Sequence, residues 1–325
     1  MTGQEVRSWN CKEQYIAGGF MESFDGFEER DKNLGVLSII FTYTVWGLQP
    51  LYWSLLQGVP LIQLLAHRIV WSFVLLICML FVKGRVHELI DVLKNRKKRI
   101  CVIACAALIS LNWLINIYSV YSRQVVEASL GQYITPIMTI FIGIFILNEK
   151  IDIFEAVSLF VALAGVLIMT ANLGKVPLVA VLLIVTFVGY TFMKKTVDIN
   201  PIIGITAEVS MLLPIALACI AYSEASGKGV LIGASGANIS MLISTGAFTA
   251  IPLLMFSHGV KLVNLSRIGF IQYYAPTLSL ILGVFIFKEV FTKTHLISFG
   301  AIWTAVIIAM ISSCLKRRGA AYRRQ

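Results

Sequence analysis

Gln132-Tyr133-Ile134-Thr135-Pro136 returns as Gln272-Tyr273-Tyr274-Ala275-Pro276, 140 residues further along the chain. The register extends beyond the motif. Gly143 aligns with Gly283, Phe145 with Phe285, Ile146 with Ile286, Glu149 with Glu289 and Ser158 with Ser298. Apolar segments resemble one another by chance. A Gln, a Pro and a Glu kept in step across two segments mark an internal duplication.

Around the motif, apolar runs alternate with short polar breaks. They fall at 34–55, 61–82, 100–121, 127–147, 153–171, 177–193, 201–221, 238–259, 267–287 and 294–314. The 325 residues are 58% hydrophobic and 14% charged, with a mean hydropathy of +0.83. Soluble domains average about 45–50% apolar and about 25% charged residues. A water-soluble core could not bury this much apolar surface, and the low charge excludes a disordered chain. The runs have the length of bilayer-spanning helices. The alternation expected of barrel strands is absent. The expected fold is an all-α membrane protein with ten transmembrane helices. Residues 34–171 form one five-helix repeat and 177–314 the second, flanked by a polar tail at 1–33 and a basic tail at 315–325. An odd number of spans per unit inverts the second unit in the bilayer. Inverted repeats of this kind characterise secondary transporters, because two related halves can exchange conformations.

The net charge is +10, from 27 Lys and Arg against 17 Asp and Glu. With the N-terminus inside, 21 basic residues fall in inside segments and 5 in outside loops, and Arg68 lies within a span. By the positive-inside rule this places both termini and the 83–99 loop in the cytoplasm of a plasma (inner) membrane protein. Lys94-Asn95-Arg96-Lys97-Lys98-Arg99 and Lys316-Arg317-Arg318 read as orientation signals beside anionic lipid, with no role for nucleic acid.

No enzyme constellation is visible: the chain has no Walker A loop, no HExxH and no GxSxG. The reading is therefore not an enzyme, with no cofactor and no metal site, and with proton coupling left open. The cysteines lie mostly within apolar runs, which argues against a disulfide framework. The implied partners are a small-molecule substrate and the lipid bilayer; oligomeric state is not legible.

Polar residues inside spans are the clues that remain, because lipid penalises them. Asn112, Asn116, Ser119 and Arg123 share one helical face. The same spacing recurs in Gln132, Pro136, Thr139 and Gly143, and in Gln272, Pro276, Ser279 and Gly283. Ser38, Thr42, Trp46, Gln49 and Trp53 form a similar stripe in the first span. The candidate substrate path is Trp46, Gln49, Asn112, Asn116, Gln132, Tyr133, Gln272 and Tyr273. Tyr and Gln suit a neutral or zwitterionic cargo. The alternative is hydrogen bonding that only holds helices together. Trp53 and Tyr118 lie near span ends and read as interfacial belt residues. Glu149 and Glu289 read as end charges or as caps for a neighbouring helix.

Trp46-Gly47-Leu48-Gln49-Pro50-Leu51-Tyr52-Trp53, Ala66-His67-Arg68-Ile69-Val70-Trp71-Ser72 and Glu127-Ala128-Ser129-Leu130-Gly131 resemble the RarD family, in the EamA branch of the drug/metabolite transporter superfamily. The resemblance continues through Gln272-Tyr273 and Ala275-Pro276-Thr277 and covers about residues 33–314. It implies a ten-helix inner-membrane permease with two five-helix repeats, and a family link to chloramphenicol sensitivity. It also implies export of amino acids or other small metabolites by facilitated or proton-linked movement. The expected function is a secondary transporter exporting a small polar or amphipathic metabolite or drug by alternating access. The competing function is a lipid or lipid-precursor flippase.

Arg68 and Glu208 are also 140 residues apart, each about eight residues into its span. At about 1.5 Å per residue, both lie near the midplane. Opposite charges at that depth are expected to pair near the repeat axis.

Overall fold

The computed structural model describes residues 30–56, 58–121, 125–170, 178–231, 236–286, 296–297, 300–309 and 311. Among these residues the chain is helical and has no strand. The helices are α1 (Arg30–Ser54), α2 (Leu61–Val82), α3 (Val86–Lys94), α4 (Arg96–Tyr121), α5 (Val125–Phe145), α6 (Ile153–Thr170), α7 (Leu178–Thr196), α8 (Pro201–Ala225), α9 (Gly236–Leu262), α10 (Leu265–Gln272), α11 (Tyr274–Phe285) and α12 (Gly300–Ala309). A helix lies at each of the ten expected span positions. Six of them, α1, α2, α4, α7, α8 and α9, are long and apolar enough by themselves to cross a bilayer. The 287–295 stretch with Glu289, and Arg123 in the 122–124 stretch, lie outside the described residues.

Local sequence explains where helices begin. Asn200 accepts a hydrogen bond from the Ile202 amide ahead of Pro201, which needs no partner at a first helical position. Asp152 and Glu155 cap α6 reciprocally, at 2.7 and 3.0 Å. The Asn95 side chain accepts from the Lys98 amide at the start of α4, inside the basic run.

Two features depart from the expected pattern. The 83–99 loop contains α3, an amphipathic helix that buries Leu89 and Val92 and packs on α8. The ninth span is two helices that meet at Tyr273. Pro276 has no N–H to offer the Gln272 carbonyl, so the helical ladder lapses at that turn. Pro136, its partner in the repeat, stays inside a continuous α5.

The packing is led by α2 against α8 and α9, α5 against α7 and α10, and α4 against α7 and α8. The α2–α9 crossing is close: a Cβ on Gly246 would sit 2.4 Å from the Trp71 carbonyl carbon. Helix α1 runs along α9, where Thr42 Oγ1 donates to the Pro252 carbonyl at 3.0 Å. It also meets α11, where Ser279 Oγ donates to the Gly47 carbonyl at 3.1 Å.

Candidate functional site

A central cavity of about 1000 Å³ lies between α1, α2, α4, α5, α7, α9, α10 and α11. It reaches the α1–α2 connection, where Gly58 and Pro60 are exposed. Its wall combines the aromatic rings of Tyr43, Trp46, Trp53, Trp113 and Phe187 with the amides Gln49, Asn112, Asn116, Gln132 and Gln272. Both halves of the chain supply residues.

The amides are not equivalent. Asn112 Nδ2 donates to the Leu183 carbonyl at 3.1 Å and to Thr186 Oγ1 at 2.9 Å, which commits it to joining α4 and α7. Asn116 Nδ2 donates to the Asn112 carbonyl at 2.9 Å, leaving Oδ1 for the cavity. Gln272 Oε1 accepts from Thr139 Oγ1 at 3.3 Å, leaving its Nε2 protons. Gln132 is exposed at the cavity wall.

Arg68 is the one charged side chain lining the cavity among the described residues. Its Nε donates to Thr249 Oγ1 at 3.0 Å. Its guanidinium carbon lies 4.9 Å from the Trp53 ring centroid and 5.1 Å from that of Trp113. Cation–π contact with two rings is worth about 0.5–2 kcal/mol each and does not neutralise the charge.

The floor is an aromatic plug. Trp46 lies 5.9 Å from Phe187 and 5.4 Å from Phe256, centroid to centroid, and Tyr190 stacks on Phe256 at 6.3 Å. Beyond the plug, Tyr190 Oη donates to Glu208 Oε2 at 3.2 Å. Glu208 Oε1 forms a buried ion pair with Lys194 Nζ. Further contacts tie this end together. Lys195 Nζ donates to the Val263 carbonyl at 2.7 Å, and Lys261 Nζ to the Ile199 carbonyl. Glu149 accepts from the amides of Leu265 and Ser266 at 2.8 and 2.9 Å, so it caps α10. Asn148, at φ 53°, turns the chain back for that contact. Gly143 makes room for it, since a Cβ there would lie 2.6 Å from Glu149 Oε2.

The EamA-like transporter family matches residues 33–171. An uncharacterized transporter of Bacillus subtilis, YojE, is 37% identical over 87% of this chain and 96% of its own length. Protein RarD of Salmonella typhi is 31% identical over 87% of this chain and 97% of its own length. The chain belongs to the RarD family of EamA-like transporters. Protein RarD of Escherichia coli is similar at 30% identity, over 87% of this chain and 96% of its own length. A solved structure with 17% identity shares the fold at a TM-score of 0.65, over 86% of this chain and 98% of that one. The protein is thus a multi-pass membrane transporter.

Within this RarD-family chain, six of the eight expected path residues line the cavity: Trp46, Gln49, Asn112, Asn116, Gln132 and Gln272. Tyr133 and Tyr273 do not. Both are buried in a separate apolar cluster with Ile137, Ile140 and Phe270, between α5 and α10. One helical position past each Gln turns the side chain about 100° away, which is the reason for the difference. Arg68 and Glu208 are not paired. Glu208 meets Lys194 at the closed end, while Arg68 faces the cavity at the other. Trp53 is a cavity residue and holds Arg68, where a belt position was expected. Trp113, Thr249, Phe187 and Lys194 were missed. Trp113 and Lys194 carried a spacing signal, one turn from Asn116 and from Tyr190, while Thr249 and Phe187 carried none.

Proposed function

We propose that this transporter carries a small amphipathic molecule through the central cavity by alternating access between two inverted five-helix repeats in a ten-span bundle. The observation that carries this reading is the asymmetry of the cavity. It runs to the α1–α2 connection at one end and is stopped at the other by an aromatic plug backed by the Lys194–Glu208 pair.

The contacts support the inversion. Asn112 on α4 bonds the α7 backbone at Leu183, and Thr42 on α1 bonds the α9 backbone at Pro252. Shifting the first contact by the repeat offset gives Tyr43 and Pro252, within one residue of the second. Helices α2 and α8, and α5 and α10, are repeat counterparts that pack on each other, as elements beside a two-fold axis do.

The charge asymmetry supports an inner-membrane placement with both termini cytoplasmic, so that the cavity faces outward; export is the direction the family resemblance implies. In a variant without native cysteines, single cysteines at 58 and in the 83–99 loop test this. Position 58 is expected to react with an impermeant thiol reagent applied outside and the 83–99 loop to be protected; the reverse pattern overturns the orientation.

Efflux from whole cells across a metabolite panel, with and without the gene, tests transport. Gln272→Ala and Gln49→Ala are expected to cut flux at least about fivefold with membrane abundance unchanged, through the loss of one or two oriented hydrogen bonds to cargo. Normal flux in both variants would place the path elsewhere.

A further inference from the structure

A pairing of Arg68 with Glu208, as expected from the 140-residue offset, would leave the cavity neutral. The structure gives Glu208 to Lys194, and the neighbours of Arg68 among the described residues are neutral: the Thr249 hydroxyl, two indole faces and the nearby Tyr52 phenol. We propose that Arg68 anchors the head group of an amphipathic organic monoanion, a carboxylate on an apolar or aromatic body. This rests on the transport reading and names the substrate class of the same cavity.

Three observations converge on that class. First, Nε is spent on Thr249, while the two terminal amino groups bond to nothing among the described residues. The two rings flank the guanidinium, whose planar fork keeps its terminal amino groups as a two-pronged donor. Its match is a carboxylate, bound through two parallel hydrogen bonds. Second, no carboxylate lines the cavity among the described residues. A half-buried cation with no counter-charge among the described residues, within the membrane span, is costly unless something anionic enters. Third, one cation balances one negative charge. A phosphate monoester carries about −1.5 to −2 at neutral pH and would leave charge uncompensated against this wall. The body of the ligand meets Trp46, Tyr43 and Phe187 at the floor, with Gln49 and Gln272 beside them. That surface suits an apolar or aromatic group carrying a few neutral polar atoms.

The test is a charge series on one body, measured with the purified full-length protein by tryptophan fluorescence and thermal unfolding. The probes are 3-phenylpropionate, 3-phenylpropionamide, 3-phenylpropylamine and 2-phenylethyl phosphate. The carboxylate is expected to bind at least about tenfold tighter than the amide or the amine, the scale of a hydrogen-bonded charge, and tighter than the phosphate. Arg68→Gln is expected to bring carboxylate and amide to within about twofold, and Arg68→Lys to retain part of the preference. The wild-type series decides the matter even where a variant does not fold. Equal or tighter binding of the amide or amine overturns the inference. So does tighter binding of the phosphate, an anion preference that survives in folded Arg68→Gln, or no saturable binding by any of the four. Loss of the anion preference with solute flux intact removes this inference alone, and anion preference without flux removes the transport reading alone.

Discussion

Arg68 on α2 and Glu208 on α8 stand 140 residues apart, at equivalent places in the two repeats we propose, yet their surroundings are opposite. Glu208 is enclosed by Lys194 and Tyr190 on α7 at the closed end. Lys194 corresponds to Ser54 on α1, so that position supplies no counter-charge to Arg68. Trp53, Trp113 and Thr249, which surround Arg68, correspond to Met193, Leu253 and Ile109, so the rings and hydroxyl that hold Arg68 have no counterparts at those positions, and the hydroxyl that reaches Glu208 comes from Tyr190 instead. Their different neighbours make Glu208 a component of a closed end and Arg68 a feature of a cavity. The comparison teaches that repeat register locates a residue along its helix, while the adjoining helix decides its partner.

The most severe way to break the comparison is to remove Lys194. The pair is almost fully buried, with 7% and 3% of the two side chains exposed. Lys194→Met leaves Glu208 as an unpaired buried charge, a loss of about 3–5 kcal/mol. The double variant Lys194→Met, Glu208→Leu removes both charges and is expected to regain most of that stability. Thermal unfolding followed by size exclusion measures all three proteins. Losses that simply add would show that the two side chains do not act as a pair. Arg68→Met, at the equivalent place, is expected to cost much less stability, because it strands no partner.

A milder comparison sets the two equivalent helix crossings side by side. Asn112 joins α4 to α7, and Thr42 joins α1 to α9, each by side-chain donors to backbone across the interface. Asn112→Ala and Thr42→Val are each expected to cost about 1 kcal/mol, the scale of an interhelical hydrogen bond in a membrane bundle. Asn116→Ala removes a cavity-facing carbonyl and no interhelical bond. It is expected to lower flux with a smaller effect on unfolding. An unfolding loss from Asn116→Ala that exceeds the one from Asn112→Ala would reverse these assignments.

Much of the fold was legible because hydropathy and repeat register are one-dimensional signals. The run lengths and the step from Gln132 to Gln272 needed no tertiary knowledge. The site was legible where a polar residue lies on the inner face of its own helix, as Gln49 and Gln272 do. It was not legible where the answer lay on another helix. Nothing around Arg68 in the sequence says that Trp53 and Trp113 converge on it from α1 and α4. Tyr133 and Tyr273 misled because they adjoin the Gln residues in sequence, whereas helical geometry turns them into the α5–α10 core. The α3 helix was hidden by its basic surroundings, which read as a charge signal before they read as an amphipathic turn.

The smallest effect belongs to an ion pair of the same chemistry in a different place. Arg85 and Glu88 meet at the start of α3, where Arg85 Nη2 donates to Glu88 Oε2 at 2.8 Å and Nε donates to Oε1. The hydrogen bond from Arg85 holds the Glu88 carboxyl below its ordinary range. A carboxyl depressed in the folded state adds stability above its unfolded value, and that contribution fades as pH falls through the folded one. The two side chains keep 32% and 34% of their surface exposed, and at a water-facing position screening and side-chain entropy leave such pairs little net value. Glu88→Gln is therefore expected to leave the unfolding midpoint almost unchanged at neutral pH. Wild type and variant should converge as the pH is lowered through the carboxylate range. Unfolding curves of the two proteins between neutral and acidic pH measure this. A loss from Glu88→Gln comparable with that from Lys194→Met would show that α3 is anchored by its charges. A negligible one leaves Leu89 and Val92, buried against the bundle, as what holds α3 in place.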